Sequence, residues 1–277
     1  MDAATVALIL FAALLHASWN AVLRAGADRL WSMTMMGLVG AALAATLAVF
    51  LPSPAPASWP FMAVSSLLQV GYALLLVRAY RDGHLAHVYP LARGTAPLLV
   101  TLGGLVFLGQ HPPPAALAGA GLVSAGILVL ALGRDRPDRT TLGLALATGG
   151  FIASYMLIDG IGVRRSGNPI AYAAWLTAAQ GLGMGLAFFA LRRRGPALPR
   201  GREGVATCIA AVIGALAYGI ALWAMGHAPV AEVSALRETS ILFAVVLGTL
   251  LLREPVTVWR IIGGCSIAAG AVCISSA

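Results

Sequence analysis

Apolar residues run in blocks of about 20 along nearly the whole chain, separated by short polar or Gly/Pro-rich stretches. A helix needs about 20 apolar residues to cross roughly 30 Å of hydrocarbon, whereas barrel strands show alternating segments of about ten. The pattern predicts ten membrane-spanning helices, at 4–24, 30–51, 59–80, 85–107, 113–132, 141–164, 168–191, 203–226, 231–252 and 256–276. Pro60, Pro113, Pro169 and Pro255 fall at or near first turns, where a helix accepts proline, and PSPAPAS separates spans two and three. Pro90 and Pro97 lie inside span four, so a kink or local unwinding is expected there.

Polar residues within the blocks are few. Residues 230–255, VAEVSALRETSILFAVVLGTLLLREP, form a membrane-length apolar run with Arg237 and Glu238 well inside it. Ionisable groups at that depth cost roughly 2.5–3.5 kcal/mol each and are read by default as functional groups facing a protein-lined cavity. Residues 85–112, LAHVYPLARGTAPLLVTLGGLVFLGQHP, repeat the arrangement 144 positions earlier: Arg93 stands opposite Arg237, Thr95 opposite Thr239, Gly104 opposite Gly248 and Gln110 opposite Glu254. Ser18 and Trp19 likewise match Ser154 and Tyr155, Gly119 matches Gly263, and Gly126 matches Gly270. The most polar linker, GRDRPDRT at 133–140, divides the chain into a first five-helix repeat at 1–134, a linker at 135–140 and a second repeat at 141–277. An odd number of spans per repeat inverts the second copy, so the expected fold is an all-α polytopic membrane protein of two inverted five-helix repeats around a central cavity.

Composition sharpens this reading. Hydrophobic residues make up 60% of the 277 and charged residues 10%, with mean hydropathy +0.88. No soluble domain with a polar surface has that balance. The net charge of +8 comes from 18 basic residues, all arginine. They gather at span ends, which points to membrane anchoring rather than nucleic acid. Fourteen lie in or beside loops that follow odd-numbered spans, against Arg164 and Arg165 in even-numbered ones, so odd loops are expected in the cytoplasm and both termini outside. Cys208, Cys265 and Cys273 lack metal-ligand spacing, and no disulfide, metal or cofactor is expected. Span one follows uncharged Met1 and acidic Asp2 and contains His16, Trp19 and Asn20, so it is expected to remain as a span rather than be cleaved.

The segments GTLLLREPVTVWRIIGGCSIAAGAV, LGGLVFLGQHPPPAALAGAGLVSAGILVL and ALLHASWNAVLR resemble the drug/metabolite transporter superfamily, in its ten-helix EamA-like branch. The resemblance extends over the whole chain through span count and duplication. It implies a carrier of small metabolites, amino acids such as aromatic ones among them. It also implies a cavity lined by helices such as one, three, four, six, eight and nine, in the cytoplasmic (inner) membrane.

Arg93 and Arg237 are the leading binding candidates, because a guanidinium holds a carboxylate bidentately. Neighbours on a helix diverge by about 100°, so Arg237 and Glu238 do not pair well with each other, and a contact of Arg93 with Glu238 across the repeats is the structural alternative. Glu238 is the candidate for proton coupling unless an arginine holds it permanently. His16, Trp19 and Asn20 share one face of span one; Gln69 and Tyr72 share one on span three, Tyr89 joins Arg93 on span four, and Tyr218 sits near the repeat mate of Tyr72. Asp159 is expected in an interfacial salt bridge near Arg164 and Arg165, and Glu232 in solvent. Gly181 and Gly185 supply a close-packing face on span seven.

No GxxxxGK[ST] loop, HExxH or GxSxG is present, so neither ATP-driven transport nor an enzyme is expected. The expected function is secondary transport, as an exporter, of small metabolites such as amino acids. The partners are a small-molecule substrate and the lipid bilayer, in a monomer or a dimer. The alternatives are a carrier of another amphiphilic metabolite or drug, a channel and a lipid flippase.

Overall fold

The computed structural model describes residues 1–25, 28–81, 85–132, 138–252 and 257–277, which are helical apart from short connections. Arg134, Arg136, Arg253, Glu254 and Pro255, with residues 135–137 of the expected inter-repeat linker, lie outside the described residues. The helices are α1 (Ala3–Ala25), α2 (Arg29–Val49), α3 (Trp59–Arg81), α4 (Leu85–Leu108), α5 (Pro114–Leu132) and α6 (Arg139–Arg165), followed by α7 (Pro169–Arg192), α8 (Gly201–His227), α9 (Val230–Arg237), α10 (Ser240–Leu252) and α11 (Val258–Ser275). Eight are long and apolar enough to cross a membrane; α5 is a shorter apolar helix, and α9 and α10 together occupy the expected ninth span.

Helix starts follow the side chains that the sequence places there. Asp28, Asp138, Asn168 and Thr257 each accept a hydrogen bond from a backbone N–H in the first turn that follows. Asp28 also pairs with Arg192 at 2.9 Å, fixing the start of α2 to the end of α7 at one face of the bundle.

The largest departure from the expected elements concerns which helix breaks. Span four, with its two prolines, is one continuous helix. Threonine hydroxyls add bonds within this helix: Thr95 donates to the Leu91 and Ala92 oxygens and Thr101 to that of Pro97. Span nine, expected as continuous, instead breaks at Glu238 and Thr239. There the amide of Glu238 donates to the Ala235 oxygen and that of Thr239 to the Leu236 oxygen, tightening the turn. The Thr239 hydroxyl adds a 2.7 Å bond to the Leu236 oxygen, which competes with helical pairing.

An ion pair holds the break in place. Arg93 Nε on α4 lies 2.7 Å from Glu238 Oε2, and Arg93 Nη2 donates to the Ser240 hydroxyl at 3.1 Å. Arg93 and Glu238 are both buried. The Nε contact is one of charge rather than of aimed hydrogen bond, since neither atom has a well-directed partner. It joins the two halves of the chain at the level of the break.

Helix contacts recur in matched sets. α3 lies on α6 as α1 lies on α8, α3 lies on α7 as α2 lies on α8, and α2 faces α7 as α5 faces α11. Glycines permit the closest approaches. On α5 and α11, a Cβ at Gly119 would sit 2.7 Å from the Gly270 oxygen, and one at Gly126 would sit 2.6 Å from that of Gly263. On α2 and α7, a Cβ at Gly181 would sit 2.1 Å from the Gly37 oxygen. The small-residue face of span seven is therefore used within the chain.

Two outcomes follow from this packing. Gly181→Ala should lower unfolding stability by about 1–3 kcal/mol through overpacking, read as a lower melting temperature in detergent, while Gly143→Ala, with nothing within 4 Å of the added Cβ, should not. Arg93→Ala leaves Glu238 buried without its counter-charge and should cost about 3–5 kcal/mol. The double variant Arg93→Ala/Glu238→Ala should recover part of that loss, and a double variant less stable than Arg93→Ala would show that the pair does not anchor the break.

Candidate functional site

A cavity of about 150 Å³ opens between α1, α2, α3, α6, α7, α8 and α9. It differs from the expected cavity in that α2 and α7 contribute walls and α4 contributes none. The reason is local. α4 contacts the turn after α9 through Arg93 and Glu238, behind Arg237, whereas Gly37 and Gly40 on α2 leave room beside Thr177 and Gln180 of α7.

Of the residues proposed from sequence, His16, Trp19, Tyr72, Tyr218 and Arg237 line this space. Arg93, Glu238 and Tyr89 lie behind it, with the Arg93 guanidinium 5.9 Å from the Tyr89 ring centre. Asn20 is also away from the wall, its amide donating to the His16 carbonyl on its own helix.

Arg237 is the distinctive group. It ends α9, is only 4% exposed, and faces the cavity. Its guanidinium carbon lies 5.2 Å from the Tyr218 ring centre. Neither ion pair found among the described residues includes it. The sequence explains why. Arg93 and Arg237 stand 144 positions apart in similar segments, but the residue after Arg93 is Gly94 and the residue after Arg237 is Glu238. One carboxylate is supplied for two arginines, and Arg93 takes it.

The walls near Arg237 are aromatic. Tyr155 lies 6.0 Å from Tyr72 and 6.2 Å from Tyr218 between ring centres, and the His16 ring meets Trp19 edge-on at 5.0 Å. His16 Nε2 is buried with no hydrogen-bond partner. Together these groups offer one cation, several ring faces and an unused imidazole nitrogen, a set suited to a small amphiphile with an anionic end.

Two acidic residues sit where the sequence reading did not put them. Asp159, expected in an interfacial salt bridge, is wholly buried and receives hydrogen bonds from Tyr172 Oη at 3.0 Å, from Tyr218 Oη, and from Gln69 Nε2 at 3.3 Å. Arg164 is engaged elsewhere, donating to the Met225 and Ala228 carbonyls, and Arg165 lies over the Phe61 ring. Glu232, expected in solvent, is buried in a separate recess with Arg164 and His227. Proximity in sequence to the arginines misled in the first case; the i, i+4 relation of Tyr155 and Asp159 on a face with many small residues was the signal available for inward placement.

No curated protein matches the chain. A crystal structure of a protein with 18% sequence identity superposes with a TM-score of 0.77, covering 99% of this chain and 96% of its own, which shows a shared fold. Residues 139–276 match the model of the EamA-like transporter family, whose members are membrane transporters of small solutes rather than enzymes. With its apolar helices and this match, the chain is a multi-pass membrane protein that belongs to the EamA-like transporter family.

Proposed function

We propose that the protein is a secondary transporter, an exporter of small carboxylate-bearing metabolites such as amino acids, aromatic ones included. The observation that carries this reading is the buried guanidinium of Arg237, which faces a cavity and, among the described residues, touches no carboxylate in a salt bridge. A cation at that depth with no carboxylate in direct contact is costly, and a substrate carboxylate supplies that contact. The Tyr72, Tyr155 and Tyr218 rings accommodate an apolar or aromatic remainder.

Alternating access follows in this reading from an inverted repeat. Its support is reciprocal contact: Gly119 meets Gly270 while Gly126 meets Gly263, so two glycines and their mates 144 positions on exchange partners. A two-fold relation between the halves generates such crossed pairs. Rocking one half against the other about these glycine seams would expose the Arg237 site to each side in turn. In the same reading the protein resides in the inner membrane with both termini outside, as the arginine distribution favours.

Purified protein in liposomes should exchange labelled amino acids in saturable counterflow. Arg237→Ala should reduce that exchange at least about 100-fold, the loss of a charge-assisted carboxylate contact worth about 3 kcal/mol. Undiminished exchange in the folded variant would remove the binding role. A periplasmic reporter fused after Ala277 should be active; activity of a cytoplasmic reporter there instead would reverse the orientation.

A further inference from the structure

Behind the cavity wall lies a carboxylate that the transport reading leaves unused. Asp159 on α6 has 0% exposure, and neither ion pair among the described residues includes it. Two tyrosine hydroxyls and an amide meet it: Tyr172 from α7, Tyr218 from α8 and Gln69 from α3. Gln69 also reaches Ser65 at 3.1 Å and Tyr218 Oη at 3.5 Å, so the cluster is continuous.

Tyr218 belongs to both sites. Its hydroxyl donates to Asp159, while its ring lies against the Arg237 guanidinium and forms part of the cavity wall. The surroundings contain little other charge. Tyr155 lies one turn before Asp159 on α6, and the part of α4 from 97 to 108, PLLVTLGGLVFL, carries no ionisable residue. The turn Pro56–Ser58 offers only a serine hydroxyl. On α9, Glu232 lines the separate recess, leaving Arg237 as the cation that faces the cluster.

We propose that Asp159 is a proton-binding site linked to Arg237 through Tyr218, so that a substrate carboxylate and a proton are bound together. This rests on the reading of Arg237 as the carboxylate site. In the empty protein, Arg237 is the positive charge that offsets ionised Asp159 at low dielectric. A substrate carboxylate on Arg237 takes over that charge, and Asp159 then holds an uncompensated negative charge out of water. Uptake of one proton at Asp159 Oδ2 restores neutrality. The Tyr218 hydroxyl hydrogen passes to Asp159 as the Tyr218 oxygen receives a hydrogen from water in the cavity, so one proton leaves solvent for each carboxylate bound. Reciprocity requires substrate affinity to fall by about tenfold per pH unit wherever Asp159 is ionised in the empty protein and protonated in the complex.

The test mixes the full-length protein with L-phenylalanine in weakly buffered detergent solution, reading proton uptake with an indicator dye and binding by calorimetry between about pH 5 and 8. The proposal expects uptake approaching one proton per phenylalanine bound, and in Asp159→Asn binding without uptake and without the pH dependence. Phenylalanine binding to the unmodified protein with no proton uptake at any pH overturns the linkage and leaves the Arg237 site standing. The same uptake in Asp159→Asn also overturns it. No phenylalanine binding to the unmodified protein overturns both the Arg237 reading and the linkage built on it.

Discussion

A charge buried in a bilayer needs a counter-charge, and here two arginines stand within reach of one glutamate. Glu238 goes to Arg93, which lies on the other half of the chain. That contact has three effects. It fixes the break between α9 and α10, joins the two halves of the chain, and packs α4 behind the turn that carries Arg237. Its fourth effect is by default: Arg237 is left facing open space. The same pair thus accounts for an interruption in the fold and for the chemistry of the cavity.

The remaining architecture keeps that geometry compact. Between apolar helices in lipid there is little hydrophobic driving force, so close backbone approach carries much of the association. Gly37 with Gly181, and the four glycines of α5 and α11, bring helices from opposite halves into such approach. Side chains pack beside these backbone contacts, with Ile274 against Gly119, Ile267 against Gly126 and Leu130 against Gly263. The cavity lies beside the seam of α2 and α7, with Gly37 and Gly40 forming part of its wall.

Much of this was legible in the sequence because the bilayer imposes a length on every span. The helices fall within a few residues of the apolar blocks. The angle between neighbours on a helix argued against a pair of Arg237 with Glu238, and the contact of Arg93 with Glu238, expected as the structural alternative, is present. Three features were not legible. The break in span nine depends on a glutamate drawn toward another helix and on a threonine bonding back to Leu236, whereas proline in span four gave a louder but misleading signal. The inward position of Asp159 depends on tyrosines brought from α7 and α8, far along the chain. The walls from α2 and α7 consist largely of methionine, glycine and threonine, types that do not announce a binding site.

The central claim is that Arg237 receives a carboxylate while the tyrosine walls receive an apolar group. Competition against labelled L-phenylalanine counterflow in liposomes tests it directly, using 3-phenylpropionate, which keeps the carboxylate and ring, and phenethylamine, which keeps the amine and ring. The account predicts that 3-phenylpropionate competes and phenethylamine does not. Competition by phenethylamine with none by 3-phenylpropionate would contradict it and return Arg237 to a structural role.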